Sequence, residues 1–419
     1  MSVITKKLHE LADVFSGYAF RSEDLGEQGI PVIKIKNVND KIVYKQCDQF
    51  LPINFVTERL KKYLLQNDDI LVAMTGQGSL GRIGKMINQK EQYIVNQRVG
   101  IVRPKVEDAS IAGYLFSVLA LDEFEDRLYS LGAGAGQPNV SAVDIGNLDI
   151  PYLSRSSRMF IAKIRTSYDA LIENNNRRIT ILEEMAQSLY REWFVNFRYP
   201  NHEDILDADG KQKLIDSPLG EIPEGWEIKY IKDIGFINTG KTPSKKKEEN
   251  YSSRDIPFIK TPDMHGGMFI IKTKEMLSKV GADSQKSKYI PNWAICVSCI
   301  GTAGVVSIST QISQTNQQIN TFIPKSKKHT EFMYFSFKSL KQTIQNYGAT
   351  GATMTNLSKG KFEALEIVFP EESLLVNFHR ITNPIFKQIQ VLSSKNENLK
   401  QQRDILLPKL ISGQIQLKE

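Results

Sequence analysis

The chain contains the same pattern twice, and this duplication limits its fold more than any other feature. The segment "IPVIKIKNV" (30–38) corresponds to "IPFIKTPDM" (256–264), and "IVNQRVGIVRP" (94–104) corresponds to "QTNQQINTFIP" (314–324). Further along, "GAGAGQPNVSAVDIGNLDIP" (132–151) corresponds to "GATGATMTNLSKGKFEALEIVFP" (348–370). The sequence therefore predicts two similar modules, and the function should involve something that comes in pairs.

The composition is that of an ordinary globular protein. The chain has 419 residues, of which 41% are apolar and 24% charged, which allows about two to four domains. We see no apolar run of the roughly 20 residues that a membrane span requires, and no secretory signal. Three cysteines in a chain of this length favour the reducing cytoplasm. The net charge of +7 mildly favours a polyanionic partner.

Each module begins with short apolar runs that are separated by Gly, Asn, Asp and Pro. The first module has predicted strands at 31–38, 69–75, 81–87 and 99–104, and a predicted helix at 111–131. The second has predicted strands at 256–261, 294–300, 304–310 and 319–324, and a predicted helix at 332–347. The predicted fold class is α+β: two similar mixed α/β domains separated by two long antiparallel, coiled-coil-like helices, with a pseudo-twofold internal repeat.

Each module ends in a long helical segment in which apolar side chains recur every seven residues. Such spacing is typical of helices that pack along a seam. The alternative is that each helix lies on its own globular domain. Asn175 and Arg178 place polar groups in the seam, where they can fix the pairing, and Pro384 predicts a kink in the second helix. The predicted helix–helix seam comprises Ile161, Ile164, Tyr168, Leu171, Leu182, Leu189, Phe378, Ile385, Leu392, Leu399 and Leu406.

These patterns divide the chain into five segments. The predicted segments are a first recognition domain (1–152), a first spacer helix (153–198), a polar linker (199–225), a second recognition domain (226–370) and a second spacer helix (371–415). A helix of about 35 residues spans roughly 50 Å, and one turn of B-DNA measures about 34–36 Å. Two modules on such a spacer could recognise two separated half-sites on one DNA duplex.

Two glycine-rich strings resemble nucleotide-binding loops but lack the required context. "GFINTGKT" (235–242) matches the phosphate-loop pattern, yet a turn and a charge run follow Thr242 where a helix should begin. The string "GAGAG" (132–136) follows a predicted helix, whereas a dinucleotide loop follows a strand. Both copies continue into Asn, an apolar residue and Ser, which predicts a small-residue loop followed by a helix N-cap.

Two further strings also lack the context of a catalytic or metal site. Cys296 and Cys299 form one pair where a zinc site needs four ligands, and on a strand they face opposite sides; we therefore expect two buried free thiols. "NPIF" (383–386) lacks the second proline of the amino-methyltransferase motif and lies within the helical segment. The sequence thus provides no candidate catalytic residue and no metal ligand.

Side chains suited to contacting DNA are concentrated in the loops of both modules. Arginine pairs well with guanine and Asn or Gln with adenine, while Lys and hydroxyl groups suit phosphates. For any single residue, an ordinary solvated or strand-supporting role remains open. The candidates are Lys34, Lys36, Asn37, Thr75, Gln77, Ser79, Arg82, Asn96, Gln97, Arg98, Gln137 and Asn139 in the first module, and Lys260, Thr261, Ser298, Thr302, Asn316, Gln317, Gln318, Thr353 and Asn356 in the second.

Three long strings resemble a known family. They are "LEEMAQSLYREWFVNFR" (182–198), "DSPLGEIPEGWEIKYIKDIG" (216–235) and "LKQQRDILLPKLISGQI" (399–415). With the repeated architecture, they resemble the specificity subunit of type I restriction-modification systems over essentially the whole chain. The resemblance implies a non-catalytic subunit whose two recognition domains each read half of a split, asymmetric DNA target.

The resemblance also implies partners and cofactors. The helices would act as the spacer and dock two methyltransferase subunits, and two restriction/translocase subunits would join the complete complex. S-adenosylmethionine, ATP and Mg²⁺ would be used by those partners, and this chain would bind no cofactor. Two other functions stay open at this point. One is a nucleotide hydrolase that uses Gly240, Lys241 and Thr242; the other is a stand-alone DNA-binding or scaffold protein without a methyltransferase partner.

Overall fold

The chain folds into two compact units. In this computed structural model the described residues are 4–86, 91–105, 109–132, 138–204, 213–348 and 356–415. The first unit is Met1–Ile172 with Leu399–Glu419, and the second unit is Glu173–Asn398. Each unit therefore contains part of each of the two long helices. None of the helices in the described part of the chain combines the length and apolar character that crossing a bilayer requires.

The first unit consists of short strands and helices. Its strands are β1 (Thr5–Lys7), β2 (Ala12–Ser16), β3 (Ile30–Ile33), β4 (Val38–Asn39), β5 (Lys41–Val43), β6 (Phe50–Leu51), β7 (Ile70–Ala73), β8 (Ile83–Lys85), β9 (Ile94–Val95), β10 (Val99–Pro104) and β11 (Asp149–Pro151). Its helices are α1 (Leu8–Leu11), α2 (Glu58–Lys61), α3 (Ala109–Leu119), α4 (Asp122–Gly132) and α5 (Ala142–Gly146), and the long helix α6 (Arg155–Phe194) begins here.

The second unit repeats this series of elements. Its strands are β12 (Leu214–Ile215), β13 (Ile222–Pro223), β14 (Glu227–Tyr230), β15 (Gly235–Thr239), β16 (Tyr251–Ser252), β17 (Ile256–Ile259), β18 (Phe269–Ile270), β19 (Glu275–Leu277), β20 (Ile295–Ser298), β21 (Val306–Ser309), β22 (Gln314–Thr315), β23 (Ile319–Pro324) and β24 (Glu366–Phe369). Its helices are α7 (Ile231–Ile234), α8 (Lys279–Asp283), α9 (Thr330–Ser339), α10 (Lys341–Gly348) and α11 (Lys359–Glu363), and the long helix α12 (Glu372–Ile411) begins here.

The sheets of the two units share one topology. The main sheet has the order β2-β10-β7-β8-β5-β4 in the first unit and β15-β23-β20-β21-β18 in the second. The smaller sheet has β3 between antiparallel β6 and parallel β9, and β17 correspondingly lies between β19 and β22. The β1–β11 pair matches the β14–β24 pair. The predicted duplication and α+β class are confirmed; β4 and β16 are additions at sheet edges.

The central strands are apolar on both sides because both faces of the main sheet are covered. Ile70 and Val72 of β7 face one hydrophobic core, and Leu71 faces another. In β20, Ile295 and Val297 face the larger core of the second unit, and Cys296 faces a separate cluster. A strand buried on both faces shows a continuous apolar run, which is why the segments at 69–75 and 294–300 were recognisable as strands.

In the first unit, the start of α6 pairs with the end of α12. Ile161 is fully buried and packs with Leu407 and Leu410. Asp169 accepts hydrogen bonds from Arg165 Nε at 2.6 Å on its own helix and from Arg403 Nη1 at 2.7 Å on α12. The paired residue numbers rise on one helix as they fall on the other, so this pairing is antiparallel.

In the second unit, the end of α6 pairs with the start of α12 in the same antiparallel sense. Asn175 Nδ2 donates to Asn396 Oδ1 at 2.8 Å, and Asn396 Nδ2 donates to Asn176 Oδ1 at 2.7 Å. Asn396 is buried. Near the other end, the ring of Phe378 lies 4.9 Å from that of Phe194. The buried Asn396 amide thus bonds to two asparagines of α6, which is how a polar group inside a seam can fix its register.

Most of the predicted seam residues lie on the packed sides of these helices, but Leu171 does not. Its side chain is 52% exposed, and Ile172 takes the buried position. A straight α-helix turns once every 3.6 residues, so a strict sevenfold pattern drifts off the contact face. Arg178 is likewise exposed. Helix α12 includes the exposed Pro384, and the kink expected there stays a prediction. The remaining seam candidates, all buried or half-buried, are Ile161, Ile164, Tyr168, Leu182, Leu189, Phe378, Ile385, Leu392, Leu399 and Leu406.

Two other expectations differ from the structure. The single helix expected at 111–131 is two helices, α3 and α4, separated at residues 120–121. Strands β12 and β13 form a small hairpin within the linker. Aromatic residues anchor the linker at both of its ends. Tyr199 and Trp226 are buried with ring centroids 5.5 Å apart. The two compact units cut across both long helices and so do not coincide with the five predicted segments, which stay a prediction.

Candidate nucleic-acid interface

A tight turn joins β9 to β10 in the first unit. Val99 N donates to Asn96 O at 2.9 Å, and Asn96 Oδ1 accepts from Arg98 N at 3.3 Å. Asn96 N donates to Ile33 O at 3.0 Å, which ties the turn to β3. Asparagine favours such turns because its side chain bonds to the backbone two residues ahead. The turn thus presents Gln97 and Arg98 outward, and both are exposed.

The turn between β22 and β23 in the second unit has the same hydrogen bonds. Ile319 N donates to Asn316 O at 3.2 Å, and Asn316 Oδ1 accepts from Gln318 N at 3.2 Å. Asn316 N donates to Ile259 O at 3.1 Å. Gln318 therefore occupies the position of Arg98. The two turns differ in the side chains that they present.

A glycine lies directly against each turn. A Cβ atom on Gly17 would lie 2.4 Å from Asn96 O, and one on Gly240 would lie 2.1 Å from Asn316 O. Neither position accepts a side chain. Sequence reasoning missed this role, although both glycines follow the first strand of their main sheet. Gly240 is also the second glycine of the string "GFINTGKT". The close approach of the neighbouring backbone explains why this position is glycine.

Two neighbouring segments complete the same edge in each unit. In the first, Met74 N donates to Arg98 O at 3.0 Å, and Val140 N donates to Met74 O at 2.9 Å. In the second, Cys299 N donates to Gln318 O at 2.8 Å, and Leu357 N donates to Cys299 O at 3.0 Å. We call this the three-segment edge: residues 74–75, 96–98 and 139–141 in the first unit, and 299–300, 316–318 and 356–358 in the second.

The edge of the first unit borders a concavity of about 430 Å³. Thr75, Gln97, Arg98 and Asn139 line it together, so the structure brings together members of three loops that sequence reasoning treated separately. Thr75 and Asn139 form an isolated β-bridge. Ser141 follows as the predicted N-cap of α5, accepting a hydrogen bond from Asp144 N at 3.1 Å. In the second unit Ser358 caps α11.

The other first-unit candidates differ in accessibility. Asn37 is buried, and its amide donates to Tyr44 O and Gln46 O at 3.1 and 2.8 Å. It therefore supports its own loop and is not available to DNA. Lys34 and Lys36 pair with Asp48 at 3.5 and 2.7 Å. Gln77 is exposed; Ser79, Arg82 and Asn96 are half-buried; Thr75 is buried; and Gln137 lies outside the described residues.

In the second unit, several candidates are also internal. Ser298 is fully buried and donates to Thr302 O at 2.6 Å, so it stabilises the loop after β20. Lys260 pairs with Glu275 at 2.5 Å. Thr261 and Asn316 are buried, Gln318 is half-buried, and Thr302, Gln317 and Asn356 are exposed. Thr353 lies outside the described residues. The accessible candidates thus concentrate at and around the three-segment edge.

No helix follows Lys241 and Thr242, so the backbone N–H groups of a phosphate loop are not arranged there. Thr242 Oγ1 instead donates to Gln317 Oε1 at 2.5 Å, and Lys241 is exposed beside it. Sequence reasoning did not include these two residues among the DNA-contacting candidates. Among the described residues there is no group of three or more His, Cys, Asp and Glu that could hold a metal ion.

Cys296 of β20 and Cys299, which directly follows this strand, are buried and free, as expected, and belong to different cores. Burial raises the pKa of the Cys296 thiol to about 12 and that of Cys299 to about 11. Burial also raises the pKa of Cys47 to about 11, with the nearby Asp48 carboxylate acting in the same direction. None of the three thiols is poised to act as a nucleophile or a metal ligand.

We therefore expect all three thiols to react slowly with iodoacetamide at pH 8 while the protein is folded. The thiolate is the reacting species, and pKa values this high should lower the rate about a hundredfold relative to the unfolded chain. Mass spectrometry of tryptic peptides after timed labelling measures each site. Rapid labelling of Cys296 in the native protein would contradict its burial.

Comparison with known proteins also indicates that one domain occurs twice in this chain. The family model for the type I restriction modification DNA specificity domain matches residues 3–184 and again 223–404. The chain belongs to this family. The two matches cover the two copies of the repeat, so the family's domain occurs twice here, each time with the three-segment edge.

Individual relatives of the specificity family point the same way. The chain is 30% identical to the Type I restriction enzyme HindI specificity subunit of Haemophilus influenzae, over 84% of this chain and 88% of the relative. It is 25% identical to the MjaIX specificity subunit of Methanocaldococcus jannaschii, over 80% and 76%. A crystal structure of the type I restriction-modification S subunit from M. genitalium matches with a TM-score of 0.58 at 14% identity, covering 98% and 96% of the two chains. That likeness concerns the fold.

Proposed function

We propose that this chain is the non-catalytic specificity subunit of a type I restriction-modification complex, and that it reads a bipartite, asymmetric sequence in duplex DNA. Each recognition domain reads one half. The observation that carries this proposal is the three-segment edge, which has the same backbone hydrogen bonds in both units but different exposed side chains. Two copies of one scaffold with different side chains suit a target whose halves differ.

In this proposal the paired helices set the spacing of the two halves and dock two methyltransferase subunits. Helices α6 and α12 are each 40 residues long, which corresponds to about 60 Å at 1.5 Å per residue. Leu171 and Met185 on α6 are 52% and 55% exposed, so the helix retains apolar surface for a partner.

The covalent chemistry belongs to the partner subunits in this proposal. S-adenosylmethionine is used by the methyltransferase subunits, and ATP and Mg²⁺ are used by two restriction/translocase subunits of the complete complex. The complex acts on chromosomal and invading DNA in the cytoplasm. This chain contributes the recognition of sequence.

Co-expression of this chain with the methyltransferase subunit of its own system, in a host without other adenine methylation, tests the proposal. Sequencing that detects modified adenines should show one motif with two defined halves separated by undefined bases. Exchanging residues 1–152 for those of a relative with another target should change one half and leave the other intact. A motif without two separated halves, or a change in both halves, would contradict the proposal.

Co-purification distinguishes the alternative of a stand-alone DNA-binding or scaffold protein. We expect a stable complex of two methyltransferase subunits with one copy of this chain. If the purified chain binds DNA tightly and specifically without forming such a complex, the alternative is correct. A salt titration accompanies the measurement, because DNA affinities depend steeply on ionic strength.

A further inference from the structure

The two three-segment edges differ in one chemical respect. Arg98 and Gln318 occupy the same position, because the N–H of each residue bonds to an Asn side chain and the C=O of each accepts from the segment after β7 or β20. Arg82 likewise corresponds to Val305, because Ala73 N bonds to Arg82 O and Ser298 N bonds to Val305 O. The first unit thus carries arginine at Arg98 in the edge and at Arg82 outside it, where the second unit carries Gln318 and Val305.

Arg98 is available for a ligand. Its side chain is exposed, and its guanidinium makes no ion pair or hydrogen bond with the residues that the structure describes. It borders the concavity together with Gln97 and Asn139, so it lies among other groups that can contact base edges.

Gln318 is held in a defined orientation. Its Oε1 accepts from Asn316 Nδ2 at 3.0 Å and from Thr261 Oγ1 at 3.5 Å. These bonds orient the carboxamide and leave its Nε2 group without a hydrogen-bond partner among the described residues. The Nε2 group can donate to adenine N7, and Oε1 can accept from adenine N6 by exchanging its long 3.5 Å bond from Thr261 for that contact.

The composition of the second domain agrees with this difference. Arg254 is the only arginine among residues 226–370, and it belongs to the connection between β16 and β17, outside the three-segment edge. The second domain therefore has no arginine with which its edge could contact guanine in the bidentate way, although it is rich in lysine for phosphate contacts.

We infer that Arg98 and Gln318 each decide one base pair of the target: a guanine in the half read by the first domain, and an adenine in the half read by the second. This inference rests on the proposed function and names the residue in each domain that distinguishes the two halves. Arg98 matches the O6 and N7 acceptors of guanine, and Gln318 matches the donor and acceptor of adenine.

Three variants of the full chain, each assembled with the methyltransferase subunit, test the inference by mapping of modified adenines. Arg98→Gln should lower the preference for guanine at one position by about tenfold to a hundredfold and leave every other position unchanged. The affected half should be the one that changes when residues 1–152 are exchanged. Gln318→Arg should shift one position of the other half from adenine toward guanine. Arg98→Lys should keep only part of the guanine preference, because lysine lacks the planar fork of donors that the guanidinium presents to O6 and N7.

The matched control is Arg59→Gln, which removes one exposed arginine from α2, a residue that is not part of the three-segment edge. It should leave the motif unchanged. An unchanged motif for Arg98→Gln would overturn the inference. So would a uniform loss of methylation that Arg98→Lys restores, because that result marks a phosphate contact. In either case the unmodified chain would still give its bipartite motif, whereas failure of the proposed function would remove that motif itself.

Discussion

Replacing Phe378 by Ala should destabilise the second unit by about 4 kcal/mol, within the range typical of fully buried Phe→Ala changes. Phe378 is fully buried at the start of α12. Its ring lies 4.9 Å from Phe194 and 5.8 Å from Trp193, both at the end of α6. The substitution would remove a ring that packs between the two long helices in this unit, and the surrounding aromatic side chains cannot collapse fully into the space.

Urea denaturation followed by tryptophan fluorescence measures this effect in the appropriate part of the chain. Trp193, Trp226 and Trp293 are the three tryptophans of the protein, and all belong to the second unit. The control is Ile381→Ala, one turn further along α12, because Ile381 is 43% exposed. It should change the free energy of unfolding by less than about 1 kcal/mol. A similar small change for Phe378→Ala would show that the helices are not joined through this ring.

The repeat made the topology of the fold partly predictable. The central strands β7, β10, β20 and β23 were recognisable because each is an apolar run, and the second copy could be located from the first. The pairs β1–β11 and β14–β24 were not predicted. Thr5 pairs with Pro151, so the partners are far apart in sequence, and neither short segment shows a periodic pattern of its own.

The candidate site was predictable as a set of loops and less so as individual residues. Gln97 and Arg98 were identified because they form a polar cluster with Asn96, and they are exposed. Asn37 has the same type of side chain in a similar place, yet it is buried in its own loop. Local sequence does not distinguish these cases, because the difference depends on which backbone carbonyl groups the fold brings within reach of the amide.

The helix–helix seam shows what a sevenfold sequence pattern cannot predict. Apolar residues every seven positions correctly indicated two long antiparallel helices, but the strict repeat selected Leu171 where Ile172 is buried. The strongest polar contacts were also missed. Arg165 and Asp169 look like an ordinary surface pair four residues apart on one helix. In the fold, the guanidinium of Arg165 is buried and lies 4.5 Å from the Phe116 ring of α3, and α12 brings Arg403 to the same carboxylate.

That carboxylate is the basis of the second large prediction: Asp169→Ala should destabilise the first unit by about 3 kcal/mol or more. The Arg165 side chain is only 4% exposed, and burial lowers the pKa of its guanidinium while Asp169 acts in the opposite direction. Removing Asp169 leaves this buried cation without its carboxylate partner, and breaking a buried pair from one side is typically strongly destabilising. It also removes the bond that joins α6 to Arg403 of α12.

Hydrogen exchange of the α6 amides at residues 161–172 reports this change locally, and we expect exchange about a hundredfold faster. Asp404→Ala is the control: Asp404 also accepts from Arg403, at 2.8 Å, but is 60% exposed and should matter little. The double variant Arg165→Met/Asp169→Ala should recover most of the lost protection, because an apolar side chain can replace a buried ion pair at little cost. If the double variant exchanges as fast as Asp169→Ala, the loss would come from the bond to Arg403, and the buried charge of Arg165 would not be its cause.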